Sequence, residues 1–155
     1  MYLKDTWPEI TTLERELVVS LALLGAFVGS LIAGPISDNI GRKPVIIASD
    51  ILFTLGSIVM AAAQTIPTLM VGRLIVGLGI GIASMILPVY LSEVAPIAIR
   101  GKVVSAFLLA CTFGQLISSI VALLLAPSRD WRLMLALAAI PSTVQGLAMI
   151  CMPES

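Results

Sequence analysis

GPISDNIGRKP, residues 34–44, is a short polar stretch set between two apolar runs. Asp38, Arg42 and Lys43 supply charge, Gly41 can take a left-handed backbone turn, and Pro44 suits the first turn of a following helix. On either side lie about twenty residues with almost no charge, the length a helix needs to cross a hydrocarbon core of roughly 30 Å. The stretch reads as a turn at head-group level between two membrane spans. On that basis the chain is a membrane protein.

Elsewhere in the chain the same pattern recurs, and five runs meet the length requirement: Leu17–Ile36, Pro44–Ala63, Pro67–Leu91, Val103–Ala126 and Leu133–Met152. They are rich in Leu, Ile, Ala and Gly and lack period-two alternation, so helices fit better than barrel strands. The connections 37–43, 64–66, 92–102 and 127–132 are short, which makes successive spans antiparallel neighbours. The expected fold is an all-α membrane protein with five transmembrane helices. An odd number of spans, an opening MYLKDTW and a close at Pro153-Glu154-Ser155 suggest a fragment. Charge does not orient it: Lys4, Arg15, Arg129 and Arg132 on one side balance Arg42, Lys43, Arg100 and Lys102 on the other.

Composition excludes several classes of function. The 155 residues are 59% hydrophobic and 12% charged, about half the charged share of a soluble domain. Net charge is zero, so nucleic acid is not an expected partner. There is no His, and Cys111 and Cys151 lie in apolar runs, which argues against a metal centre, a triad or a disulfide framework. An enzyme is the least favoured reading, because no activated nucleophile or convergent acid pair is present.

Polar residues inside the spans then carry the functional argument. Arg73 lies about two turns into the third span, where a guanidinium must be paired, hydrated or able to snorkel. Asp50 and Glu93 are at the wrong depth to pair with it, which points to a partner on a segment outside this chain. Asp50 itself faces either a water-filled cavity or the nearby membrane surface. Thr112, Gln115 and Ser119 share one helical face near mid-membrane. A neutral amide there suits a hydroxyl-rich neutral solute, or else an interhelical hydrogen bond. Gln145 in the fifth span raises the same question. Gly25, Gly29 and Ala33, and separately Gly77 and Gly81, form small-residue stripes for close helix packing. A second charged cluster, Ser92-Glu93 through Arg100-Gly101-Lys102, lies on the same membrane face as residues 37–43. Together the two clusters suggest a salt-bridge latch or, more plainly, head-group anchoring.

These residues are also familiar. Gly34 to Lys43 resembles the GxxxDxxGRR/K loop of the major facilitator superfamily. GRLIVGLGIGIASMILPVYLSEVAPIAIRG, residues 72–101, resembles the sugar-porter signature of hexose and inositol transporters. Gly114-Gln115, Trp131-Arg132 and Pro153-Glu154-Ser155 are similar to further family motifs, and SDILFTLGSIVMAAA (49–63) is most like the inositol and polyol branch.

The resemblance implies helices two to six of a twelve-helix carrier working by alternating access, either facilitative or coupled to protons. It implies that Gln115, with Thr112 beside it, contacts sugar hydroxyls. It further implies that Arg73 pairs with a first-helix acid in the proton-coupled members, and that Asp38, Gly41, Arg42, Lys43, Glu93 and Arg100 form a cytosolic gating network. Loops 37–43 and 92–102 are then cytosolic, residues 1–16 extracellular, and 153–155 the start of a cytosolic linker. The expected partners are a small neutral sugar or polyol, the lipid bilayer, and the missing first helix and C-terminal six-helix half. No cofactor is expected beyond a coupling proton, and the plasma membrane is favoured over an organelle. The competing class is a non-transporting sugar sensor or truncated regulator of the same fold.

Overall fold

A computed structural model of the chain describes residues 12–125 and 143–147. Four long helices account for nearly all of them: α1 Thr12–Ile40, α2 Arg42–Ala61, α3 Ile66–Val94 and α4 Arg100–Leu125. Each is long and apolar enough to cross a membrane. Residues 143–147 are helical and fall within the expected fifth span, the rest of which lies outside the described residues. The expected segments 1–16 and 153–155 also lie outside them, save the start of α1.

The helices overrun the hydrophobic runs. α1 and α3 have 29 residues each, about 43 Å, so their polar ends project past the hydrocarbon. The expected connection 37–43 is corrected accordingly: Ser37 to Ile40 finish α1, Arg42 and Lys43 begin α2, and Gly41 alone separates them. Gly41 has φ +100°, a value that side-chain-bearing residues rarely adopt, and its N–H donates to the Ser37 carbonyl at 3.0 Å. Pro44 then sits in the first turn of α2, where a missing N–H costs nothing. The 92–102 connection shrinks in the same way to residues 95–99. At the other end of α2, Thr65 caps α3: its hydroxyl accepts from the Thr68 N–H, and Pro67 occupies the first turn.

α3 is the central element. It packs along α1 on one side and α2 on the other, while α1 and α2 touch little and α4 rests lightly on α3. The α1–α3 seam is backbone against backbone. A methyl group on Gly25 would lie 2.5 Å from the Leu74 carbonyl oxygen, and one on Gly29 the same distance from that of Leu78. From the other helix, methyl groups on Gly77 and Gly81 would run into the carbonyls of Ala22 and Ala26. Lipid offers no hydrophobic drive to helix pairing, so this closeness supplies the dispersion contacts that hold the seam. Two buried clusters complete the interior: one around Ala33, Ile46, Ile86 and Tyr90, the other around Val18, Met60, Leu69 and Val76.

Candidate functional site

Three polar features stand out on this apolar frame. The first is at the end of the bundle where α1 stops, α2 starts and α3 stops. The Arg42 guanidinium bridges all three. Its Nη1 donates to Asp38 Oδ1 at 2.8 Å and to the Ser37 carbonyl at 3.0 Å. Its Nε and Nη2 donate to Glu93 Oε2 and Oε1 at 3.2 and 3.3 Å. The planar fork of arginine suits this two-pronged grip on a carboxylate. Gly41 makes the arrangement possible, because the single-residue break lets Arg42 follow Asp38 at i+4 while turning toward α3. The side chains are partly wet, with 25% exposure at Arg42, 70% at Asp38 and 37% at Glu93. Water can therefore replace the pairs. Lys43 is half-buried beside this cluster. Arg100 is exposed at the start of α4 and has no ion pair among the described residues, so the structure does not bring it to the others.

The second feature is inside the bundle. Arg73 is partly buried on α3, and its Nε is buried without a hydrogen-bond partner among the described residues. Asp50 on α2 is 7% exposed, and its Oδ2 is likewise unpartnered. No ion pair joins the two, in keeping with their different depths. Asp50 borders a cavity of about 430 Å³ whose polar walls are Ser49, Ser84, Cys111, Ser118 and Gln145. Of the two sequence-based readings of Asp50, the cavity matches its burial. The sequence marks Asp50 and Gln145 as polar residues at depth but gives no reason to join them, since they lie almost a hundred positions apart.

The third feature is on α4. Thr112, Gln115 and Ser119 line one open groove of about 490 Å³ with Leu109, Phe113 and Leu116. The two hydroxyls are used within the helix: Thr112 donates to the Leu108 carbonyl and Ser119 to that of Gln115, at 3.0 and 2.9 Å. The Gln115 amide is exposed, and no described residue donates to it or accepts from it. The groove thus presents one amide with both donor and acceptor capacity on an apolar floor. It lies 15 residues beyond Arg100, about 22 Å along the helix axis. The charged end and the amide face are therefore separate sites.

Residues 2–155 match the family model described as "Sugar (and other) transporter". The chain is 42% identical over 158 residues to the "Probable inositol transporter 2" of Arabidopsis thaliana, covering 100% of this chain and 27% of that one. It is 43% identical over 148 residues to the human proton myo-inositol cotransporter, covering 94% of this chain and 23% of that protein. Among solved structures, the proton:xylose symporter XylE bound to 6-bromo-6-deoxy-D-glucose superposes with a TM-score of 0.88 at 27% identity. The match covers 99% of this chain and 39% of XylE. The inward open form of XylE from E. coli gives 0.83 at 30% identity, over 89% and 37%. The chain spans about a quarter of the length of the curated relatives it matches.

Proposed function

The chain belongs to the sugar transporter family, and we propose that it contributes one side of the pathway of a proton-coupled carrier for a small neutral polyol or sugar. The observation that carries this reading is the unpartnered Gln115 amide, with Thr112 beside it, in an open groove on an otherwise apolar helix. A hydroxyl-rich solute needs donors and acceptors to replace its water, and it needs them without a fixed charge. The inositol names of the relatives at 42% and 43% identity favour a cyclic polyol over a hexose. Proton coupling is supported by relatives named as proton cotransporters and by the partnerless Nε of Arg73, which leaves a guanidinium free for an acid on a neighbouring helix. The cluster of Asp38, Arg42 and Glu93 acts as the latch of alternating access: three helix ends are tied in one conformation and separate in another. Gly41 sets its geometry and Lys43 adds to its charge, while Arg100, apart from it here, joins it only in another conformation. This face is cytosolic, and the carrier sits in the plasma membrane.

The test is uptake of labelled myo-inositol by cells expressing the full-length gene product. Uptake that depends on an inward proton gradient is expected. Gln115→Ala should raise KM about tenfold, the equivalent of one lost hydrogen bond to a neutral solute, without changing the amount of protein in the membrane. An unaltered KM would reduce Gln115 to a packing residue.

A further inference from the structure

Asp50 lies about two turns into α2, and two cavities of about 430 Å³ each meet at its side chain. One lies between α2 and residues 143–147 and is walled by Ile47, Ile51, Leu55 and Leu147. The other runs between α2, α3 and α4 to Ser84, Ser118 and Gln145. The 143–147 segment lies against the carboxyl: a methyl group on Gly146 would stand 3.6 Å from both Asp50 Cβ and Oδ2, in ordinary contact.

The groups that face Asp50 decide what it can bind. α3 presents Gly79, Ala83 and Ser84, and α4 presents Cys111 and Ser118. The 143–147 segment presents Thr143 and Gln145. None of these is charged, and only the Cys111 thiol can titrate. Ser49, the neighbour on α2, already donates to the Ile46 carbonyl at 2.7 Å. Arg42 is held by Asp38 and Glu93, and Arg73 lines neither cavity. Asp50 Oδ2 is buried and accepts no hydrogen bond from any described residue, surroundings that disfavour an ionised carboxylate. A divalent metal is usually held by several charged or imidazole ligands, and no group of three His, Cys, Asp or Glu exists among the described residues. The ligand that fits a lone carboxyl among uncharged side chains is a proton.

We propose that Asp50 is a proton-binding site inside the helix bundle, separate from Arg73 and from the amide face of α4. Its carboxyl is neutral while residues 143–147 cover it, and it passes its proton to water when the cavity floods. The covered arrangement holds one more proton than the flooded one, so rising pH favours flooding and falling pH favours closure. The site does not depend on the sugar reading, because it needs no transported solute.

The test is infrared titration of the full-length gene product in lipid nanodiscs with carboxyl-labelled aspartate, read as the difference between wild type and Asp50 variants. A labelled, protonated C=O band should be present at about pH 5.5, where an ordinary aspartate is ionised. Asp50→Asn should abolish that band, and Cys111→Ser should leave it in place. Because Asp50→Asn can perturb folding, Asp50→Glu provides a second assignment: the labelled band is lost and an unlabelled one replaces it. Absence at about pH 5.5 of a labelled protonated band that both Asp50 variants remove would overturn the proposal.

Discussion

At the level of single residues, two polar groups act in opposite surroundings. Arg42 is partly wet and fully engaged, with Asp38 on one prong of its fork and Glu93 on the other. Arg42→Lys keeps the charge but loses the two-pronged contact, because an ammonium is a compact point charge. We therefore expect Arg42→Lys and Asp38→Asn to shift the balance between outward- and inward-facing states severalfold. Thiol accessibility from the two membrane sides would read this shift. Raised ionic strength should move the wild type in the same direction, since partly exposed pairs are screened. Identical labelling of wild type and variants would leave the cluster as a head-group anchor. Asp50 is the reverse case, buried and unengaged. Its depth, and a cavity as one of two readings, were legible in the sequence, but the residues that line the cavity were not. That cavity is made by Ser84, Ser118 and Gln145, which converge only when three helices and the 143–147 segment pack.

Among the helices, the α1–α3 seam depends on glycine because each backbone occupies the space a side chain would need. Gly77→Leu or Gly81→Leu should destabilise the bundle by at least about 1–3 kcal/mol, the usual range for overpacking. The check is a lowered thermal midpoint in detergent. Gly101→Ala is the control, since nothing lies within 4 Å of the added methyl, and it should leave the midpoint unchanged or slightly raised. Equal midpoints for Gly81→Leu and wild type would contradict the close seam. The helices were legible as apolar runs because hydropathy reports what can sit in lipid. Their ends were not. Asp38, Asn39, Arg42 and Glu93 read as loop because they are polar, yet all are helical. Local bonds at the end of α1 hold that turn: Asn39 donates to the Pro35 carbonyl at 2.8 Å, and the Gly41 N–H to that of Ser37 at 3.0 Å. Hydropathy marks the edge of the membrane, whereas hydrogen bonding marks the edge of the helix. Gly41 and Pro44 were legible for another reason, since their backbone preferences are intrinsic.

Across the molecule as a whole, burial is uneven. α3 is enclosed on two sides, whereas none of the apolar window of α4 is covered by the described helices. Such a surface belongs against lipid or further helices, so the chain should stay in the membrane pellet through an alkaline carbonate wash. Recovery in the supernatant would contradict the membrane fold. The family motifs made the fold and the transporter class readable before any coordinates, because they run in order along nearly the whole sequence. The partner of Arg73 and the solute facing Gln115 were not readable in the same way, since both depend on groups that other helices bring. The transport reading stands or falls on whether the Thr112–Gln115–Ser119 face borders water and solute rather than acyl chains. Gln115→Cys in the full-length gene product, with Cys111 and Cys151 replaced by serine, puts a thiol on that face. A membrane-impermeant thiol reagent is then applied with and without myo-inositol. We expect rapid labelling that the polyol slows severalfold, and no labelling of an Ala110→Cys control on the opposite face of α4. Labelling of Gln115→Cys only by a lipid-soluble reagent, with no protection by polyol or sugar, would contradict a solute pathway along α4.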